Sequence, residues 1–192
     1  LIRFAAPAAI VAALLLSGCG PKAITVGSKP FPAKRAVFTD ASGQELKSLP
    51  GANEPLRLVM LYFPWCPACG DAWGAVREAQ EAFPAGTVGV YRILFDREVL
   101  LTLEGKQQVP PLQPAPAGGP ATSPDSGAVT LTALPGAFGG AYRVSQAPVI
   151  FLLDGDGTVA RRWVGFSRNL FGELSEEIRT RSPALSPRPP EK

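Results

Sequence analysis

Three long, largely apolar runs stand out along the chain: LRLVMLYF at 56–63, TVGVYRILF at 87–95 and PVIFLL at 148–153. Each has the length of a strand, and a run that does not alternate predicts a strand buried on both faces. AVFTDASGQELKSL does alternate, around Ser42-Gly43, and predicts a small β-hairpin that opens the folded part near Arg35. In DAWGAVREAQEAF, Trp73, Val76, Ala79 or Gln80, and Phe83 recur at helical spacing before Pro84 and Gly86 stop the helix. SRNLFGELSEEIRTR places Leu170, Leu174 and Ile178 on one face and predicts a last helix capped by Ser167. REVLLTLEG and the glycine-weakened ALPGAFGGAYRV predict two shorter helices. DGDG at 154–157 reads as a turn into an antiparallel strand, TVARRWVGF, and lacks the spaced oxygen ligands of a calcium loop.

Two stretches interrupt this order. VPPLQPAPAGGPATSP, residues 109–124, holds six prolines and two glycines and cannot sustain a regular element. It reads as a surface insert, with a proline-rich docking segment as the alternative. Residues 182–192 read as a disordered tail.

The first 18 residues have a different character. Arg3 precedes an apolar run that ends in small residues, the order of an export signal, and Phe4 to Leu16 falls short of the ~20 residues that a membrane span needs. Leu16-Ser17-Gly18-Cys19 resembles the lipobox of bacterial lipoproteins, which implies cleavage before Cys19 and a lipid on its sulfur. Residues 19–34, rich in glycine and proline, then read as a tether to a domain spanning 35–181.

Composition narrows the chemistry. The chain has 192 residues, 46% of them hydrophobic, enough for one ordinary domain plus tails. A net charge of +3 without a basic run gives no footprint for nucleic acid. The absence of histidine removes Ser-His-Asp and Cys-His catalysis, Cys2His2 zinc, and haem attachment. The remaining chemistry lies in FPWCPACG, residues 63–70.

Cys66 and Cys69 stand where a buried strand ends and a helix begins. Two cysteines at this spacing in a first helical turn can come within bonding distance and cycle between dithiol and disulfide without refolding. The helix N-terminus favours the first thiol as thiolate, which makes Cys66 the expected nucleophile and Cys69 the resolving thiol. Pro67 suits the first helical turn, where its missing N–H is harmless. Three alternatives remain open on the residues alone. A zinc clip lacks its other ligands, a static disulfide would close only a very small loop, and a peroxidase would want Thr where Phe63 stands.

With the strand before it and AYRVSQAPVIFLLDGDG behind it, Trp65-Cys66-Pro67-Ala68-Cys69 resembles the active site of the thioredoxin superfamily, in its exported TlpA/ResA-like branch. The resemblance spans roughly residues 35–180. It implies an α/β, thioredoxin-like fold: a central mixed β-sheet flanked by helices, with an N-terminal β-hairpin. It also implies catalysis by Cys66 and Cys69, a cis-proline at Pro148, and substrate binding by Trp65, Ala147 and Pro148. No metal or organic cofactor is needed. The implied partners are the thiols and disulfides of exported proteins and a membrane or periplasmic redox partner, with the chain lipid-anchored in the bacterial envelope and facing the periplasm or the exterior. The position at which thioredoxins carry a buried acid is Met60, leaving Asp71 as the nearest carboxylate, more simply read as a charge at the helix N-terminus. Another use of the same fold is a non-catalytic binding module with a structural disulfide.

Overall fold

The computed structural model describes residues 21–51, 54–95, 127–134 and 136–182. The export signal, Cys19, the predicted helix at REVLLTLEG, the proline-rich insert and the tail beyond Ser182 lie outside them.

The apolar runs form the middle of a mixed sheet. β4 (Leu56–Tyr62), β5 (Val88–Leu94) and β8 (Val149–Asp154) lie side by side, parallel for β4 and β5 and antiparallel for β4 and β8. Almost every residue in them is buried, which is why the sequence shows no alternation there. Each fully buried aliphatic or aromatic side chain contributes about 1.5–3 kcal/mol to folding. The short strands β2 (Phe38–Thr39) and β3 (Glu45–Leu46) form the predicted hairpin, closed at Asp40 and Gly43, the latter at φ +84°. β6 (Ala128–Ala133) joins that hairpin to β5, and β9 (Val159–Val164) follows β8 through the turn at 154–157. Among the described residues the sheet order is β3-β2-β6-β5-β4-β8-β9.

Two helices cover one face. α1 (Pro67–Glu81) buries Cys69, Ala72, Val76 and Ala79. The last helix, called α3 here (Leu170–Arg181), buries Leu170, Leu174 and Ile178 and packs on α1. The strand register identifies the covered face. Met60 pairs with Ile150, Ile150 with Trp163, and Arg92, beside Met60, stacks 4.8 Å over the Trp73 ring of α1. Leu61, Val149, Phe151 and Arg162 therefore belong to the opposite face, because side chains alternate along a strand. A five-residue helix, α2 (Ala137–Ala141), leads into β7 (Tyr142–Arg143).

Two expectations are corrected. Residues 21–34 are not a free tether: β1 (Lys22–Ala23) pairs in parallel with β7, and Ile24 and Phe31 enter the core. Gly27 donates to the Val159 carbonyl, Val159 donates back to Ser28, and Lys29 pairs with Asp156 at 2.8 Å. The last helix starts at Leu170 with Asn169 in the capping position, and Ser167 bonds Glu173 through its hydroxyl instead of capping. Among the described residues no helix is long and apolar enough to cross a membrane.

Candidate active site

β4 ends at Tyr62, and a short turn carries the chain into α1. The Cys66 N–H donates to the Phe63 carbonyl at 3.0 Å, and Cys66 then takes the N-cap position with extended backbone. Pro67 is the first helical residue, where no intrahelical N–H is required of it. The turn is held from below by aromatic packing. Phe63 stacks on Phe95 at 4.7 Å between ring centroids and meets Trp65 edge-on at 5.7 Å. Phe95 in turn meets Phe138, so that rings run continuously to Phe31 of the N-terminal segment through Phe38 and Tyr142. Trp65 itself is 39% exposed.

The two thiols are free and differ sharply in environment. Cys66 is half-buried, whereas Cys69 has no exposed surface. The Cys69 N–H donates to the Cys66 carbonyl at 2.9 Å, closing the first turn between them. Burial pushes the Cys69 thiol up to about 12; hydrogen bonding to the Cys66 thiol adds to this, and the Phe63 backbone partly offsets it. At neutral pH Cys69 therefore holds its proton.

Met60, where the resemblance would have an acid, is fully buried on the face that α1 covers, opposite Ile150. Asp71 does not replace it. It is the fifth residue of α1, past the first turn, and stands exposed on the outer side with Gly74 and Glu78.

Pro148 reaches the same end of the sheet from another strand. The last bridged pair of β4 and β8 is Leu61 with Val149, which sets Pro148 level with Tyr62, where the chain leaves toward Cys66. The Ala147–Pro148 peptide is cis. Pro148 is buried and its carbonyl accepts from Gly165 N–H at 2.8 Å, while Ala147 is exposed. Cys66, Cys69, Trp65, Ala147 and Pro148 thus meet at one edge, and Cys19 lies outside the described residues.

Reading the sequence missed two further parts of this edge. The predicted strand TVARRWVGF runs through Gly165 and Phe166, but β9 ends at Val164, and the turn that follows bonds to Pro148 and leaves Phe166 41% exposed. The other is a groove of about 220 Å³ on the face opposite α1, whose floor is Leu61, Val149 and Phe151.

Comparison with solved structures settles the architecture. A candidate thiol:disulfide interchange protein, DsbE, from Chlorobium tepidum superimposes with a TM-score of 0.56 at 19% identity, over 83% of this chain and 99% of that one. The fold is that of thioredoxin. The thioredoxin domain of a thiol-disulfide oxidoreductase from Bacteroides vulgatus gives 0.54 at 16% identity, over 81% of this chain and 99% of its own. MTB DsbF, in mixed oxidized and reduced forms, gives 0.53 at 15%, over 82% and 99%. No protein-family model matches the chain, and no curated protein does.

Proposed function

We propose that this chain is a thiol-disulfide oxidoreductase that reduces disulfides of exported proteins, held to the bacterial envelope by a lipid on Cys19. One observation carries the reading. A half-buried thiol at the cap of α1 lies one turn from a fully buried thiol, and an exposed backbone residue, Ala147, comes to the same edge beside Pro148. The similarity in fold to a thiol-disulfide oxidoreductase domain and to DsbF is consistent with it.

The Cys66 thiolate attacks one sulfur of the partner's disulfide, forming a mixed disulfide and releasing the other sulfur as a thiolate. Cys69, after giving up its proton, attacks the Cys66 sulfur and releases the second partner thiolate. The partner gains two electrons and two protons, one that Cys69 gives up and one from water, and Cys66 and Cys69 become a disulfide. A dithiol donor in the membrane or periplasm then restores them. With Met60 behind the pair, the proton on Cys69 leaves to water or to the departing partner thiolate.

Reductant and oxidant share these residues and differ in the relative stability of the two redox states. Equilibrating the protein in graded thiol-disulfide buffers tests the reading. A potential near about −270 mV or lower is expected, whereas one near roughly −120 mV would make the protein an oxidant. If no reversible couple forms, the chain is a binding module and the enzymatic reading fails.

A further inference from the structure

The exchange reaction makes no use of the groove on the face opposite α1, yet the chemistry of that groove is pronounced. Leu61, Val149 and Phe151 lie beneath it, each at most 3% exposed, and Arg143 and Arg162, both exposed, stand at its walls. No Asp or Glu lines it among the described residues. Neither arginine has a carboxylate partner there either, in contrast to the other arginines of the neighbourhood. Arg161, one residue from Arg162, points to the other face and meets Glu177 at 3.8 Å, and Arg181 holds Asp154 and Glu177. Among the described residues, two arginines therefore line one groove with no carboxylate to offset them. Each offers a planar fork of donors suited to a carboxylate.

The position of the groove indicates what fills it. Gln146 lines it and is two residues from Pro148. Leu61, also in its floor, belongs to the last bridged pair before the strand end that carries Cys66. A peptide laid along the exposed Ala147 would run on past Gln146 toward the groove. We infer that the groove holds the stretch of a substrate protein next to its reactive disulfide, and that it selects stretches that carry a carboxylate side chain. The inference rests on the thiol-exchange reading. Charge complementarity identifies the occupant: an anionic segment meets both arginines, and a basic one is repelled.

The test uses the full chain and three peptides of one length that differ at a single pair of positions, Glu-Leu, Gln-Leu or Lys-Leu, beside a cystine. Versions with serine for cysteine measure binding by fluorescence anisotropy without exchange, and the cystine versions measure turnover. The Glu-Leu peptide is expected to bind about tenfold more tightly than the Lys-Leu peptide, with the gap narrowing as salt rises. In the doubly reversed protein, Arg143→Glu with Arg162→Glu, the order inverts. The milder pair Arg143→Gln with Arg162→Gln removes the preference and guards against misfolding of the reversed protein. Equal binding of the three peptides by the native protein, or an unchanged order in both variants, overturns the inference. Reduction of the neutral bis(2-hydroxyethyl) disulfide is expected to be the same in all three proteins. If the native protein discriminates between the peptides yet reduces no disulfide, the exchange reading fails and the groove stands.

Discussion

Two grooves flank the edge where Cys66 and Pro148 meet, and they are built on opposite plans. The one beside α1, about 450 Å³, is shaped by missing side chains: Gly70 and Gly74 leave a flat strip on the helix that faces Phe166 and Phe171. It carries both signs, Asp71 and Glu78 on the helix and Arg168 across from it. The other is assembled from β1, β4, β8, β9 and the β7 loop, and its described lining bears positive charge alone. A helical surface brings its own counter-charges within a turn or two, so it tends to be neutral locally. A groove gathered from distant strands has no such local correction, and the imbalance that results is what a ligand can use.

The hardest break is at the cysteines between the grooves. Cys66→Ser is expected to reduce turnover of any disulfide substrate to the uncatalysed background while leaving anisotropy-measured binding of peptides intact. Loss of binding together with turnover would merge what the two grooves and the thiols do into one unit. Next comes the support of the basic groove. Phe138 is fully buried against Phe95 and Tyr142, with centroids at 4.9 and 5.0 Å, and β7 follows directly from its helix. Phe138→Ala is expected to cost about 3–5 kcal/mol in urea unfolding and to weaken peptide preference before it affects small-disulfide turnover.

A smaller effect separates the redox states. The Cys69 thiol is raised from 9.0 to about 12, so the folded reduced protein holds this proton over a range in which the unfolded chain has lost it. That contribution is fully present below about pH 9 and declines as pH rises toward 12. Tyr91 and Tyr142, both pushed up to about 12 by burial, impose a similar decline on either redox state. The difference between reduced and oxidised unfolding midpoints is therefore expected to move against the reduced form from pH 9 upward. A difference that stays flat would mean that burial is not what holds the proton.

The smallest change sharpens the contrast from the other side. A Cβ added at Gly74 meets nothing within 4 Å, and its backbone is ordinary helix. Gly74→Ala is expected to stabilise the protein by up to about 1 kcal/mol, measured by thermal unfolding, with no change in peptide preference. Altered preference would show that the helix-side groove also holds substrate.

These contrasts bear on what the sequence makes readable. Strands β4, β5 and β8 were legible because burial on both faces leaves few polar positions, and α1 because its period is 3.6 and Pro84 and Gly86 end it. Cys66 and Cys69 stand out by their spacing at the end of a strand, and the cis bond that the resemblance implies at Pro148 is present. Strand β6 was overlooked although Val129, Leu131 and Ala133 alternate with threonine, since two small residues dilute the pattern. The N-terminal segment has no period because of its Gly and Pro, and what orders it lies over a hundred residues away: the pairing of β1 with β7 and the bonds of Gly27 and Ser28 to Val159. The basic groove was invisible for the same reason: Arg143 and Arg162 meet only after β7 and β9 are in place.

The pairing of β1 with β7 also has a mechanical side. Lys22 and Ala23 bridge Tyr142 and Arg143, Ile24 is buried beside them, and the next backbone bonds to the main sheet come at Gly27 and Ser28, through Val159. Ala23, Ile24 and Thr25, between these two fastenings, form one wall of the basic groove. Tension applied to the residues that precede Lys22 loads the two-residue joint first and the main sheet last. The groove would therefore yield under pull before the cysteines moved, making it the point at which force on the N-terminus is felt.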